Sequence, residues 1–165
     1  MTKTSVTGTL ALGAAVLALA ATSRPVGGAE AAGVAVWPAA ELKAYAKTLA
    51  PRINAGKVAT ERLTSYGNHY TLIAHREGDG EVEVHEHEAD FFFVQTGSAT
   101  LVVGGEMVGG RTTAPGELRG PSIKGGEKKD LAAGDVVHIP ARVPHQLLVP
   151  PGHELTYFVI KVQGQ

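Results

Sequence analysis

From residue 57 to the C-terminus, the chain is a series of short β-prone runs separated by glycine and proline. Apolar and polar residues alternate within the runs, which places successive side chains on opposite faces of a strand. Strands are predicted over 57–63, 69–76, 81–87, 90–96, 98–103, 106–108, 135–140, 145–149 and 154–162. Many short strands, in a chain with 21 Gly and 9 Pro, are typical of a β-sandwich or β-barrel. We therefore predict an all-β domain over 57–165.

The last predicted strand, 154–162, is apolar on both of its faces. A strand of this kind is covered on both sides by other parts of the protein. One face is expected to pack into the barrel, and a dimer interface could cover the other. The chain is therefore expected to form a homodimer.

Residues 33–56 differ from the rest because their apolar residues follow a helical spacing. Pro38 suits the first turn of a helix, and Pro51 ends the helix near residue 50. One apolar stripe with the spacing i, i+3, i+4, i+7 is formed by Leu42, Tyr45, Ala46 and Leu49. This segment predicts one amphipathic helix that caps the barrel or packs on its outer sheet.

Residues 1–32 have the features of an export signal. Lys3 precedes an uninterrupted run of apolar and small residues over 9–21, and cleavage is expected after Ala29 or near Ala32. The run is too short for a membrane span, which needs about 20 residues. We predict a protein that is periplasmic or secreted, with no stable membrane span. A retained N-terminal anchor or a disordered tail is the alternative.

The composition excludes several kinds of site. There are no cysteines, so disulfides, thiolate nucleophiles and Cys-ligated zinc are excluded. The net charge of −1 is nearly balanced, and it indicates no nucleic-acid partner. The partner that we expect is a small molecule, either a substrate or a ligand.

Four residues near two predicted strands have the side chains of a metal site. His85 and His87 are two positions apart in a β-prone run, so a strand would place both imidazoles on one face. Asp90 follows three residues later, and His145 comes at the start of a later strand. Neutral imidazoles with one carboxylate suit Mn, Fe, Ni, Cu or Zn. We therefore predict a metal site in a β-barrel.

The remaining histidines and nearby acids have simpler interpretations. Glu86 and Glu88 alternate away from the histidine pair and are expected to face solvent, with Glu88 an alternative carboxylate if the strand ends early. The histidines that we expect to be structural or exposed are His69, His75, His138 and His153.

Two runs around these residues resemble the motifs of the cupin superfamily. The first family motif is Gly-x5-His-x-His-x3,4-Glu-x6-Gly, and the second is Gly-x5-Pro-x-Gly-x2-His-x3-Asn. The matching residues are Gly80, His85, His87, Asp90 and Gly97 in the first run, and Gly134, Pro140 and His145 in the second. The match covers 80–145, and the predicted strands outside it extend the same barrel. The resemblance implies a cupin jelly-roll β-barrel, preceded here by the amphipathic helix.

The chain departs from both motifs at four positions. Gly80 is one residue closer to His85 than usual, and Asp90 stands in place of Glu with fewer residues in front of it. Arg142 replaces the usual Gly, and Val149 replaces the usual Asn. Asp90 therefore either binds the metal or accepts a hydrogen bond from a ligand histidine.

The resemblance implies a divalent transition metal held by His85, His87 and His145, with Asp90. Mn or Fe is favoured, and Zn, Ni or Cu is the alternative. The implied activities are those of dioxygenases, decarboxylases, isomerases and lyases. Among these we favour an oxidoreductase of dioxygenase type that acts on a small organic substrate. A non-catalytic ligand-binding or metal-binding module of the cell envelope is the main alternative, and a barrel without metal is a third.

Contacts to the substrate are also expected from neighbouring residues. If the substrate is anionic, Arg142 or Arg119 would bind its carboxylate. Phe91 and Phe93 are compatible with a place in the cavity wall, although core or interface positions suit them equally. Residues 109–128 show no apolar period, so we predict a structureless loop there. A solvated loop is favoured over a basic lid above the site.

Overall fold

Twelve β-strands, all paired antiparallel, and one α-helix make up most of residues 33–165, the part of the chain that the computed structural model describes. The helix is α1 (Ala39–Leu49). The strands are β1 (Val58–Ser65), β2 (His69–Arg76), β3 (Val82–His85), β4 (Glu88–Val103), β5 (Glu106–Val108), β6 (Arg111–Ala114), β7 (Glu117–Gly120), β8 (Ser122–Lys124), β9 (Glu127–Ala132), β10 (Val136–Ile139), β11 (His145–Leu148) and β12 (Leu155–Gln163). The predicted export signal, 1–32, lies outside the described residues and stays a prediction.

Helix α1 lies where the sequence predicts a helix. Pro51 falls in a short 3-10 turn, Ala50–Arg52, that follows its last residue. Leu42 and Leu49 are buried in a cluster with Phe158 of β12. The helix therefore packs on the outer face of the sheet. Among residues 33–165, no helix is long and apolar enough to cross a membrane.

Ten strands form one curled sheet in the order β1-β2-β12-β4-β11-β3-β7-β6, with β9 and β10 also paired to β4. Strand β4 is 16 residues long and connects the two halves of the barrel. Its first half pairs with β12 and β10, and its second half pairs with β11 and β9. Strands β5 and β8 form a separate two-stranded sheet.

Gly97 lies at the point where β4 passes from one half of the barrel to the other. Its φ is +78°, in the left-handed region that favours glycine. A Cβ atom there would lie 1.9 Å from the carbonyl oxygen of Glu154, so no side chain fits. The strands predicted over 90–96 and 98–103 are therefore one strand that runs through a glycine bend, and the prediction of two strands is wrong.

Strand β12 is covered on both faces, as its sequence predicts. Tyr157 and Val159 belong to the core of the barrel, while Phe158 and Ile160 pack with the residues under α1. The second cover is therefore the chain's own helix. Because α1 covers the outer face of β12, a partner subunit is not needed to cover it. The homodimer stays a prediction.

The structureless loop predicted over 109–128 is wrong. The structure places β6, β7, β8 and the start of β9 in this segment. These strands are three to six residues long and largely exposed, so they carry no apolar alternation that a sequence pattern could reveal. Strand β7 pairs with β3, which brings Glu117 opposite His85.

Candidate metal centre

Two buried histidines lie side by side inside the barrel. His85 ends β3 and His145 begins β11, and the pairing of these strands puts His145 opposite Glu83. Both histidines are 3% exposed, and their ring centroids are 5.3 Å apart. Strand pairing therefore joins two of the predicted ligands that are far apart in the sequence.

Each of these imidazoles is oriented through its Nδ1 atom. Nδ1 of His85 lies 2.7 and 2.8 Å from the two carboxylate oxygens of Glu117. Nδ1 of His145 lies 3.0 Å from the carbonyl oxygen of Val143, to which it donates. These contacts hold a proton on each Nδ1, so Nε2 is the atom that can bind a metal.

Two carboxylates face the Nε2 atoms. Oδ2 of Asp90 lies 3.4 Å from Nε2 of His85 and 3.6 Å from Nε2 of His145. Oε2 of Glu83 lies 3.3 and 3.8 Å from the same two nitrogens. Two imidazoles and two carboxylates thus converge, and we call these four residues the donor cluster.

Two atoms of the donor cluster are buried without a hydrogen-bond partner among residues 33–165. They are Nε2 of His145 and Oδ2 of Asp90. Each such atom costs about 1–3 kcal/mol, and a cation held between them would satisfy both. The spacing also fits, since ligands about 2.1 Å from a tetrahedral metal are about 3.4 Å apart. The donor cluster, with nitrogen-to-oxygen distances of 3.3–3.8 Å, therefore fits a divalent transition metal.

Lys161 adds a positive charge at the edge of the donor cluster. Its Nζ lies 2.6 Å from Oδ1 of Asp90 and 2.8 Å from Nε2 of His85. The pairing of β12 with β4 sets Lys161 opposite Asp90, which explains the contact. The ammonium offsets part of the negative charge of the cluster and contacts two of the residues that a metal would use.

Burial and charge together set the protonation of the donor cluster. Burial would raise the pKa of Asp90, but the neighbouring ring of His85 and the charge of Lys161 hold that pKa below its usual range. Burial likewise opposes ionisation of Glu83, yet the neighbouring ring of His85 and the charge of Arg119 hold the pKa of Glu83 low. Burial lowers the pKa of His145, which is therefore neutral at pH 7. Burial and the charge of Lys161 oppose a charge on His85, whereas the neighbouring carboxylates of Asp90 and Glu83 raise its pKa to about 10.

His87 does not join the donor cluster. Strand β3 ends at His85, and residues 86–87 form a bend, so the alternation that would carry His87 to the same face stops. The side chain of His87 is exposed. Placing His85 and His87 on one strand face is therefore wrong, and Glu83 takes that position, two residues before His85 instead of two after it.

The two arginines predicted to bind substrate differ in their positions. Arg119 is half-buried, lines the cavity described below, and forms an ion pair with Glu83. Arg142 is exposed and outside the cavity lining, with a φ of +68°. This left-handed conformation is the physical reason why a glycine suits the position. Arg142 as a substrate contact is therefore not supported by the geometry.

The predicted aromatic lining is shifted by one residue. Phe91 stacks on His138 with ring centroids 4.4 Å apart, and Phe93 packs with Phe158 under α1. Both point away from the barrel interior. Phe92, on the opposite face of β4, lines the cavity together with Asp90.

A cavity of about 290 Å³ opens beside the donor cluster. Glu83, Asp90 and Lys161 contribute to its polar wall. Its apolar wall is formed by Val58, Leu72, Ala74, Phe92 and Val159. Small-molecule sites usually have volumes of about 300–1,000 Å³ and mostly apolar walls. This cavity is just below that range, and its wall has a larger charged part.

Sequence patterns missed three residues of the site. Glu83 could have been found from the sequence. It is two residues from His85, as His87 is, so strand alternation places Glu83 on the same face as His85. Glu117 and Lys161 come from β7 and β12, and no local spacing connects them to the histidines. Glu88, the alternative carboxylate, lies in a second group with His85 and Glu117 whose ligand atoms are all within 4.8 Å of one another.

No protein-family model and no curated protein matches the chain. Solved structures match it in fold. TT1209 from Thermus thermophilus is 20% identical, the alignment covers 71% of this chain and 92% of that one, and the TM-score is 0.50. BH2720 from Bacillus halodurans is 13% identical over 70% of this chain and 77% of its own, also with a TM-score of 0.50. An uncharacterized conserved protein with a double-stranded β-helix domain from Klebsiella pneumoniae is 17% identical. That alignment covers 68% of this chain and 82% of the other, with a TM-score of 0.47.

The strand order and the first two of these likenesses show the fold, a double-stranded β-helix of the kind found in cupins. The cupin resemblance of the sequence is therefore confirmed for the fold. Since one fold supports many chemistries, the function has to be inferred from the donor cluster and the cavity.

Proposed function

We propose that this protein is a small metal-dependent enzyme of the cupin fold, whose donor cluster holds one divalent transition metal beside the cavity. The observation that supports this most directly is the pair Nε2 of His145 and Oδ2 of Asp90. Both atoms are buried, lie 3.6 Å apart and have no hydrogen-bond partner among residues 33–165. In a metal-free barrel both atoms would stay unpaired, which is unfavourable.

The residues of the site have separate roles in this proposal. The donor cluster would bind the metal through Nε2 of each histidine and one oxygen of each carboxylate. When bound, the metal supplies Lewis acidity towards a substrate oxygen or, if it is Fe or Mn, one-electron chemistry. Glu117 orients His85 through Nδ1 and increases the basicity of the ring. Lys161 holds a proton at Nζ on the cavity wall, where it can donate a hydrogen bond to a substrate oxygen.

An oxidoreductase of dioxygenase type is the reaction class that we favour for this site, on a small organic substrate. Two carboxylates beside two imidazoles favour Mn or Fe, because these metals accept hard oxygen ligands readily. Zn, Ni and Cu are the alternatives. A decarboxylase, an isomerase or a lyase would use the same open metal positions.

Elemental analysis of the purified protein without residues 1–29 tests the metal site. We expect stoichiometric metal in the wild type and its loss in both His85→Ala and His145→Ala. His153→Ala is the matched control, because His153 is exposed in a turn, and it should keep the metal. Stoichiometric metal in both cluster variants, or none in the wild type after reconstitution with Mn and Fe, would overturn the proposal.

A non-catalytic ligand-binding or metal-binding module is the second candidate. It is favoured by the contact of Lys161 with His85 and Asp90, because an internal cation already stabilises the cluster. The two functions differ in whether the metal has an exchangeable position. Azide should perturb the optical or EPR spectrum of the loaded enzyme, and a spectrum that does not respond to azide or to small organic acids would favour the binding module.

We also propose that the protein is exported, on the basis of the pattern in residues 1–32. Expression of the full chain in a bacterial host, followed by fractionation, should yield a shortened chain in the periplasm or the medium. A full-length chain that stays in the cytosol would contradict export.

A further inference from the structure

Arg76, at the end of β2, is a buried arginine without an acidic partner. It is 5% exposed, and its Nε is buried with no hydrogen-bond partner among the described residues. No carboxylate oxygen of residues 33–165 lies within the 4.0 Å of an ion pair from its guanidinium. A buried charge that lacks a counter-ion is strongly unfavourable, so the site is incomplete as it stands.

Two acids that line the same cavity as Arg76 are paired with other arginines. These acids are Glu81 and Glu83. Arg111 donates to both oxygens of Glu81, at 2.8 and 3.0 Å, and Arg119 is paired with Glu83. Each of these glutamates therefore has its own cation, as Asp90 has in Lys161, and the charge of Arg76 has no counter-ion among residues 33–165.

The groups that do touch the guanidinium are neutral. Nη1 donates to the carbonyl oxygen of Gly56 at 3.3 Å. The guanidinium also lies against Gly80, where a Cβ atom would be 2.9 Å from Nη1 and 3.0 Å from Cζ. A side chain at Gly80 would therefore push the guanidinium aside, and glycine leaves it room there. The hydroxyl of Tyr157, also neutral, lies beside the guanidinium. The Gly56 contact uses one N–H of Nη1, and Nε has no hydrogen-bond partner among residues 33–165.

We propose that Arg76 binds the carboxylate of a small acid with an apolar body, in the cavity beside the donor cluster. The planar guanidinium offers a fork of N–H groups that pairs with both oxygens of a carboxylate, and Nη2 is the nitrogen of that fork that is not buried. The apolar wall of the cavity takes the hydrocarbon part of the same molecule, and the polar wall places its other end near the donor cluster. That this acid is a substrate rests on the proposed function, whereas its binding to Arg76 does not require a metal.

NMR of isotope-labelled protein tests the proposal, because the Nε–H group of Arg76 gives its own signal. The probe is isovalerate, and isovaleramide is the neutral molecule of the same shape. We expect isovalerate to shift the Arg76 Nε–H signal and to bind about tenfold or more tightly than the amide, since hydrogen bonds to charged groups contribute that much. The proposal would be overturned if the acid and the amide bound equally well, or if isovalerate did not bind at millimolar concentration. It would also be overturned if isovalerate bound without shifting the Arg76 Nε–H signal.

Variants provide a second measurement. Arg76→Lys keeps the charge and removes the fork, so it should weaken isovalerate binding about tenfold. Gly80→Ala puts a methyl group against the guanidinium and should also weaken isovalerate binding. If Arg76→Lys does not fold, Gly80→Ala takes its place as the test variant. Arg62→Gln, on the exposed face of β1, is the control and should bind as the wild type does. Wild-type affinity in both cavity variants would contradict the proposal.

Metal-free and zinc-loaded protein are compared in the same titrations. Binding at Arg76 without any metal uptake by the donor cluster would contradict the proposed function alone. Metal uptake without a shift of the Arg76 signal would contradict the carboxylate site alone.

Discussion

Nζ of Lys161 lies 2.6 Å from Oδ1 of Asp90, so a cation of the chain itself is paired with the carboxylate at the centre of the donor cluster. Asp90 is only 1% exposed, and Lys161 also contacts His85. The same ammonium that stabilises the metal-free barrel therefore opposes a metal ion at these donors. Stability and metal affinity should respond to Lys161 in opposite directions.

Lys161→Met should raise metal affinity and lower stability. Like charges close to each other repel by a few kcal/mol in a partly buried site, by order of magnitude, so we expect affinity to rise by about tenfold or more. The metal-free variant should lose up to about 3–5 kcal/mol, because Asp90 keeps a buried charge and loses its ammonium partner. Competition with a chelator measures the first effect and urea unfolding the second.

Lys129→Met is the control for this substitution, because Lys129 is an exposed lysine paired with Glu127. It should change neither quantity appreciably. A lower metal affinity in Lys161→Met would show that Lys161 supports the site instead of competing for it.

His87→Ala should retain stoichiometric metal. The side chain is exposed in the bend after β3, away from the donor cluster. Elemental analysis beside His85→Ala measures the difference. Loss of metal from His87→Ala, with a thermal unfolding midpoint like that of the wild type, would restore His87 as a ligand and remove Glu83 from that role.

Glu117→Gln should weaken metal binding without abolishing it. Its carboxylate holds the Nδ1 proton of His85 at 2.7 Å, and loss of such a contact typically costs 10–100-fold in affinity, by order of magnitude. Chelator competition provides the measurement, with Glu127→Gln on the exposed strand β9 as the matched control. Equal affinities in the two variants would mean that Glu117 does not orient the ring.

Acid should destabilise the metal-free protein through Asp90. The folded-state pKa of Asp90 is below its usual value of about 3.9, so the folded state binds fewer protons than the unfolded state in that range. The stabilisation from Asp90 is therefore complete above about pH 4 and is lost as the pH falls through the folded-state pKa. Urea unfolding in the presence of a chelator, from neutral pH to about pH 3, should show this loss.

Asp90→Asn should lack that part of the acid response. Asp130→Asn is the control, since Asp130 is exposed on β9, and it should keep the wild-type slope. A wild-type slope in Asp90→Asn would place the acid sensitivity elsewhere in the chain.

Much of the fold was predictable because it depends on local periodicity. Alternation located most of the strands, and the spacing of Leu42 and Leu49 located α1. The segment 109–128 was not predictable, because its strands are short and mostly exposed. Gly97 shows the same limit: glycine indicates a turn, but only the approach of Glu154 makes it a bend within one strand.

The sequence by itself determined the fold class and two histidines of the site, since β-periodicity and motif spacing are properties of neighbouring residues. Tertiary structure decided the rest of the donor cluster. His87 lies outside the donor cluster because β3 ends two residues before it. Glu117 and Lys161 lie against the histidines because of the strand pairing of β7 and β12. The same holds for Arg76, whose lack of a counter-ion appears only when the pairings of Glu81 and Glu83 are known. Contacts of this kind depend on strand order and register, which no local pattern records.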